Sequence, residues 1–143
     1  MTQIETLKAH VKDAIDAMAP MLIRASHDIH ANPEIAFQEH YAHDLLTGLV
    51  ESEGLQVERG ACGLDTAFIS EFGAGEPIVG ILSEYDALPG IGHACGHNII
   101  ATSGLGAALA LAKLGSSLPG RVRYLGTPAE ETGNGKEIMA RQN

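Results

Sequence analysis

The sequence contains no tryptophan and only six other aromatic residues, three Tyr and three Phe. That argues against an aromatic platform on which bases or sugars stack. Cysteine is scarce too. Cys62 and Cys95 are the two present, which excludes a disulfide scaffold and makes a reduced, cytoplasmic compartment the default reading. Basic residues number 9 against 18 acidic ones, a formal net charge of −9. This balance argues against nucleic acid and anionic membranes as partners, and an acidic surface of this kind is most often a solubility device. No apolar run is long enough to span a bilayer. The start, Met1-Thr2-Gln3-Ile4-Glu5, lacks the basic stretch and apolar core of a signal peptide. Internal repeats and low-complexity segments are also missing.

What remains is an ordinary globular composition. The 143 residues, 45% of them hydrophobic, fit one domain with a packed core. Ile4, Leu7, Val11, Ile15 and Met18 recur at helical spacing up to a break at Pro20. A second helix is predicted from Met21 to His30, ending at Asn32-Pro33, because the residue before a proline avoids the α region. A third runs from Glu39 to Glu53, with Gly54 as its cap. The pattern then turns to strands over residues 55–59, 66–70 and 77–82. A strongly apolar helix follows from Asn98 to Leu114. Its small residues Gly104, Gly106, Ala107 and Ala108 would let it lie close against a sheet. A strand over 121–125 and the start of a helix at 136–141 come last.

Strand, helix and strand over residues 78–125 make a βαβ unit, which implies parallel strands and a right-handed crossover. The functional consequence is topological. The loop after the first strand carries Asp86, His93, Cys95 and His97; the loop after the second carries Thr127-Pro128-Ala129-Glu130-Glu131. Both loops must emerge at the same carboxyl edge of the sheet, where open α/β sheets bind ligands.

The residue types at that edge are those of a metal site. Cys95 and His97 offer a thiolate and an imidazole, which suit Zn²⁺ and also Ni²⁺, Co²⁺ or Mn²⁺. Gly96 between them gives the backbone the freedom to turn both toward one point. Glu130 and Glu131 are adjacent and cannot aim identically, so one can bind metal while the other serves as general base on water. Taken alone, two acidic residues opening a helix are more often dipole partners. Asp86 either orients a ligand histidine from behind, bridges to metal, or merely starts a turn before Leu88-Pro89. His93 and Glu84 read as loop residues. The pairs His27/His30 and His40/His43, at i, i+3, read as surface or interface residues. Cys62 reads as a small buried or turn residue, and Gly133-Asn134-Gly135-Lys136 has the wrong order for a phosphate loop.

Four segments occur in order: Ile29-His30-Ala31-Asn32-Pro33-Glu34, Glu84-Tyr85-Asp86-Ala87-Leu88-Pro89, His93-Ala94-Cys95-Gly96-His97-Asn98 and Gly126-Thr127-Pro128-Ala129-Glu130-Glu131. Together they resemble the amidohydrolase branch of the dinuclear-metal aminoacylase/carboxypeptidase G peptidases, with most likeness to its aminobenzoyl-glutamate hydrolase and β-alanyl-lysine dipeptidase-like members. The resemblance covers nearly the whole chain.

That resemblance implies a three-layer α/β catalytic domain with a mixed, largely parallel sheet flanked by helices. It implies Cys95, His97 and Glu131 as metal ligands, Glu130 as the general base, and Asp86 as a further residue of the catalytic site. Two divalent metals per complete site are implied, and the substrate class is a small amide: an N-acyl amino acid, an aminobenzoyl-glutamate-like compound or a dipeptide. Complete members carry further histidine ligands and a second domain used for homodimerisation. Residues 1–143 are therefore expected to be the N-terminal part of the catalytic domain, inactive or nearly so alone. Two other readings stand beside this one: a thiol hydrolase using Cys95 with His97, and a non-catalytic binding or assembly module built on a shortened enzyme fold.

Overall fold

The computed structural model describes residues 2–142. Its first element, α1 (Gln3–Ala31), opens with a capping box. The Thr2 hydroxyl accepts from the Glu5 N–H at 3.3 Å, and the Glu5 carboxylate accepts from the Thr2 N–H at 2.6 Å. Both bonds satisfy donors that the first turn leaves free. The predicted break at Pro20 does not occur: Pro20 lies inside one continuous helix. Proline removes one hydrogen bond, to the carbonyl of Asp16. Both residues face solvent, so water can take up the freed carbonyl. Packing supplies the rest, because Met18, Ala25 and Ile29 are buried on either side of the proline.

After α2 (His40–Ser52) come β1 (Glu58–Arg59), a short helical turn at Ala61–Gly63, β2 (Phe68–Ala74) and β3 (Ile78–Ser83). Then follow α3 (His97–Ala112), β4 (Gly120–Gly126) and α4 (Gly135–Gln142). The strands form one mixed sheet in the order β1-β2-β4-β3. β3 and β4 are parallel, as the βαβ reading requires, while β2 runs antiparallel to both β1 and β4. Three strands thus share a direction and β2 opposes them.

Helices flank the sheet. On one face lies the main core, with Phe68, Tyr85, Leu105, Leu109 and Tyr124 essentially inaccessible. Phe68 and Tyr124 meet edge to face at 5.2 Å. A smaller cluster of Ala61, Ala67 and Met139 sits with Ile69 and Leu125 on the other face, under α4. The small residues of α3 act as expected at one position and differently at another. A Cβ on Gly104 would stand 2.2 Å from Ser83 Oγ, so that glycine does bring α3 against β3. Gly106 instead faces α1, where a Cβ would meet Leu22 at 2.9 Å.

The register fixes the functional edge. Ser83 pairs with Gly126 at the carboxyl ends of β3 and β4. The Thr127 N–H continues the ladder to the Ser83 carbonyl at 2.8 Å. The loops that follow, with Glu84–Cys95 on one side and Thr127–Glu131 on the other, start side by side.

Candidate metal centre

His97 is the first residue of α3, behind Gly96, whose φ of 80° is left-handed and favours glycine. The sequence pattern places His97 on the loop; its actual position in the helix is what orients the ring. Nδ1 lies 2.7 Å from the Asp86 main-chain carbonyl and 3.2 Å from Asp86 Oδ1. Both neighbours are acceptors, so in the neutral ring the proton belongs on Nδ1 and the lone pair on Nε2. With Nδ1 directed to the carbonyl, the buried Oδ1 is left without a hydrogen bond of its own.

Nε2 points at two carboxylates. Glu130 Oε2 and Glu131 Oε1 each lie 3.7 Å from it. The ligand-type atoms of His97, Glu130 and Glu131 all fall within 4.8 Å of one another. Three lone-pair donors thus converge with no proton donor among them. Ligands about 2.0–2.2 Å from a tetrahedral cation stand roughly 3.4 Å apart, so the spacing needs little adjustment to hold one. The donor set fits a divalent cation, with nitrogen and oxygen ligands in the proportions zinc, manganese or cobalt accept.

Asp86 holds the arrangement from beneath. It is 1% exposed, and its Oδ2 accepts the Glu131 main-chain N–H at 3.0 Å. One residue therefore touches the backbone of one candidate ligand and the ring of another. Lys136, on α4, is the cation at the rim. It pairs with Glu84 and comes within 3.9 Å of Glu130 Oε1.

Cys95 stands beside this cluster rather than within it. Its side chain is exposed. A hydrogen bond to Glu131 comes first in raising its pKa, with some desolvation and the charges of Glu131, Glu130 and Asp86 adding to it, and together they push the thiol up to about 11. A thiol so held is protonated at neutral pH, which opposes its use as a metal-free nucleophile. A cation between the same groups would reverse that balance, because a coordinating thiol is deprotonated outright.

Other candidates land differently from their sequence readings. His93, read as a polar loop residue, is 7% exposed. Burial, first, and the neighbouring His30 and His97 lower its pKa. His43, read as a surface residue, is 5% exposed and lies 6.1 Å from the Phe68 ring. His27, His30 and His40 are exposed as expected. Cys62 is half-buried with φ 56°, within the Ala61–Gly63 turn. Sequence reasoning missed Glu39, a carboxylate with no exposed surface that bonds the backbone just ahead of Glu130.

The fold is an α/β domain that carries this cluster at the carboxyl edge of a parallel strand pair. Residues 80–143 match the sequence model of Peptidase family M20/M25/M40. The Xaa-Arg dipeptidase of Mus musculus is 42% identical over 94% of this chain and 34% of its own length. For a p-aminobenzoyl-glutamate hydrolase polypeptide of Escherichia coli the values are 34%, 92% and 31%. The crystal structure of the Bacillus subtilis YXEP protein, described as a dinuclear metal binding peptidase from the M20 family, superposes with a TM-score of 0.80 at 29% identity. It covers 89% of this chain and 40% of that one. A Staphylococcus aureus structure gives 0.83 at 23% identity, a likeness of fold. The chain spans about a third of the length of the curated relatives named here. Among the described residues, no helix is long and apolar enough to cross a membrane.

Proposed function

We propose that this chain forms the N-terminal part of the catalytic domain of a metal-dependent amide hydrolase. In this reading His97, Glu131 and Cys95 hold one side of a two-metal centre, and Glu130 is the general base. The remaining ligands and a dimerisation domain lie outside residues 1–143, in keeping with the share of the relatives' length that the chain spans. The reading rests on one observation: His97 Nε2 faces Glu130 and Glu131 at 3.7 Å each, with acceptors also behind Nδ1.

A divalent cation bound there would polarise the scissile carbonyl and make a water acidic enough to attack it. The protein's own residues do the rest. Asp86 keeps the His97 proton on Nδ1 and, through the Glu131 N–H, holds that side chain at the strand end. Glu130 is the more exposed of the two glutamates, at 36% against 25%, so its carboxylate can reach a substrate's reacting atoms. It takes the proton from the attacking water and passes it to the departing amine nitrogen. Substrates of the class, by the names of the relatives, are dipeptides and aminobenzoyl-glutamate.

Metal stripping separates this from a thiol hydrolase. In the complete protein, a chelator should abolish amide hydrolysis, and Zn²⁺, Co²⁺ or Mn²⁺ should restore it. Glu130→Gln should retain the metal while losing at least about 10²-fold in turnover, the lower range for a general base. Full activity after exhaustive chelation, or in Glu130→Gln, would overturn the proposal.

A further inference from the structure

The N-P-E segment singled out in the sequence takes no direct part in the cluster, yet its glutamate and the chain just after it grip both site loops. Glu34 uses its main-chain carbonyl to accept the N–H of Ala87, the neighbour of Asp86, at 2.7 Å. Its carboxylate accepts the N–H groups of Tyr41 and Ala42 at 2.9 and 3.1 Å, at the start of α2. Five residues on, Glu39 is fully buried. Its Oε1 accepts the Ala129 N–H at 2.8 Å, across ninety positions of sequence. Its Oε2 accepts the Thr66 hydroxyl at 2.8 Å. The Thr66 carbonyl in turn accepts the hydroxyl of Tyr85, which precedes Asp86.

Ala129 is the point under control. Its φ is 56°, a left-handed conformation that alanine rarely adopts. It is fully buried, and its carbonyl accepts from Gly133 and Gly135 at 3.2 and 3.3 Å. The next two residues are Glu130 and Glu131. A turn of this kind persists only where its surroundings over-determine it. The Glu39 bond supplies the fixed point on the amide side, and a carboxylate is a stronger acceptor than a neutral oxygen.

We propose that Glu39 is a positioning residue of the metal centre: by accepting the Ala129 N–H it fixes the left-handed turn that aims Glu130 and Glu131 at His97. The metal consequence rests on the reading of those glutamates as base and ligand; the positioning itself does not. Nothing about Glu39 requires contact with substrate or metal, since Oε1 and Oε2 are both occupied.

The test uses Glu39→Met, which keeps volume and removes the acceptor, and Glu39→Gln, which keeps an oxygen for Ala129. Backbone amide resonances are read without metal, and binding is read with Co²⁺ alone from its visible absorption bands. In Glu39→Met the Ala129 amide should move upfield, the Glu130 and Glu131 amides should shift with it, and Co²⁺ affinity should fall about 10- to 100-fold, the range for outer partners of a metal site. Glu39→Gln should restore the Glu130 and Glu131 resonances and bring Co²⁺ affinity to within about threefold of wild type. Thr66→Val should leave the Ala129 amide in place. Unmoved Glu130 and Glu131 amides in Glu39→Met would overturn the positioning. If Glu39→Met does not fold, Glu39→Gln decides: a loss of Glu130 and Glu131 order there, with the Ala129 bond retained, also overturns it. Absence of Co²⁺ binding by the wild-type protein would refute the metal reading, leaving the amide shifts to decide the positioning.

Discussion

Replacing Asp86 by alanine removes two contacts at once, and their sizes can be set against each other. The Glu131 N–H loses a carboxylate acceptor at 3.0 Å. A hydrogen bond to a charged group contributes about 1.5–3 kcal/mol. For a domain of this length, about 3 °C of melting temperature accompanies each kcal/mol, so a loss of about 5–9 °C is expected. The second contact concerns function. Asp86 Oδ1 is 3.2 Å from His97 Nδ1 and stabilises the ring when Nε2 gives its lone pair to a cation. The main-chain carbonyl facing Nδ1 survives in Asp86→Ala, so the loss of the carboxylate should weaken metal binding about 10-fold, the low end for outer partners of a metal site. Asp86→Asn keeps an oxygen for the Glu131 N–H but removes the charge, so it should hold most of the stability and lose part of the affinity. Thermal melts without metal and calorimetric Co²⁺ titration read the two effects separately. A destabilised Asp86→Ala protein that binds Co²⁺ within about threefold of wild type would refute the coupling of Asp86 to the ligands.

Cys95, with its pKa at about 11, should react slowly with iodoacetamide in the metal-free protein. The raised value means that the fold holds the thiol proton, and the thiolate appears only as pH climbs toward that value. At pH 8 the reactive fraction is about 0.1%, against roughly 10% at the ordinary value of 9, so alkylation about 100-fold slower than for an unperturbed thiol is expected. Glu131→Gln should speed it, and a wild-type rate matching a free thiol would contradict the placement. Gly135→Ala would put a Cβ 1.9 Å from the Pro128 carbonyl oxygen. Backbone must move there, at a cost of about 1–3 kcal/mol, and Co²⁺ affinity should fall because Ala129 and Glu130 follow Pro128; an unchanged melt would count against the close approach. Gly48→Ala, with open space around it inside α2, should instead raise stability by up to about 1 kcal/mol. Pro20→Ala should restore the hydrogen bond to Asp16 and stabilise α1 by about 1–2 kcal/mol, below the roughly 3 kcal/mol intrinsic difference because proline also restricts the unfolded chain. Lower stability in urea unfolding would show that the proline shapes α1.

The parts legible in sequence are those governed by local rules plus one topological rule. β3, α3 and β4 announced themselves through apolar runs and helical spacing, although α3 ends at Ala112, two residues before the predicted Leu114. From those three elements the handedness and length of a βαβ crossover suffice to put His97 beside Glu130 and Glu131, thirty-three and thirty-four positions away. The same local rules failed at Pro20, where burial of Met18 and Ala25 outweighs one missing hydrogen bond on the solvent side. They also failed at His43. A histidine four residues into α2 has nothing in its neighbourhood to mark it as facing Phe68 rather than water.

Glu39 shows where local reading must run out. In sequence it is an acidic residue at the start of an amphipathic helix, a position where a carboxylate is usually a solvated partner of the helix dipole. In the fold it caps nothing by side chain. It is instead enclosed by Thr66 and Ala129, from two later parts of the chain. Burial raises its pKa, because desolvation outweighs the hydrogen bonds it accepts. A group held so has a stability contribution that is present below the ordinary value of 4.5 and declines as pH rises through its folded pKa. An apolar residue of like volume would escape that pH dependence but would leave the buried Ala129 N–H and Thr66 hydroxyl unpaired. The carboxylate satisfies both donors, and one of them belongs to the residue before Glu130. That placement is what a positioning role predicts. It also explains why hydrophobic patterning, which tracks stability alone, leaves Glu39 unmarked.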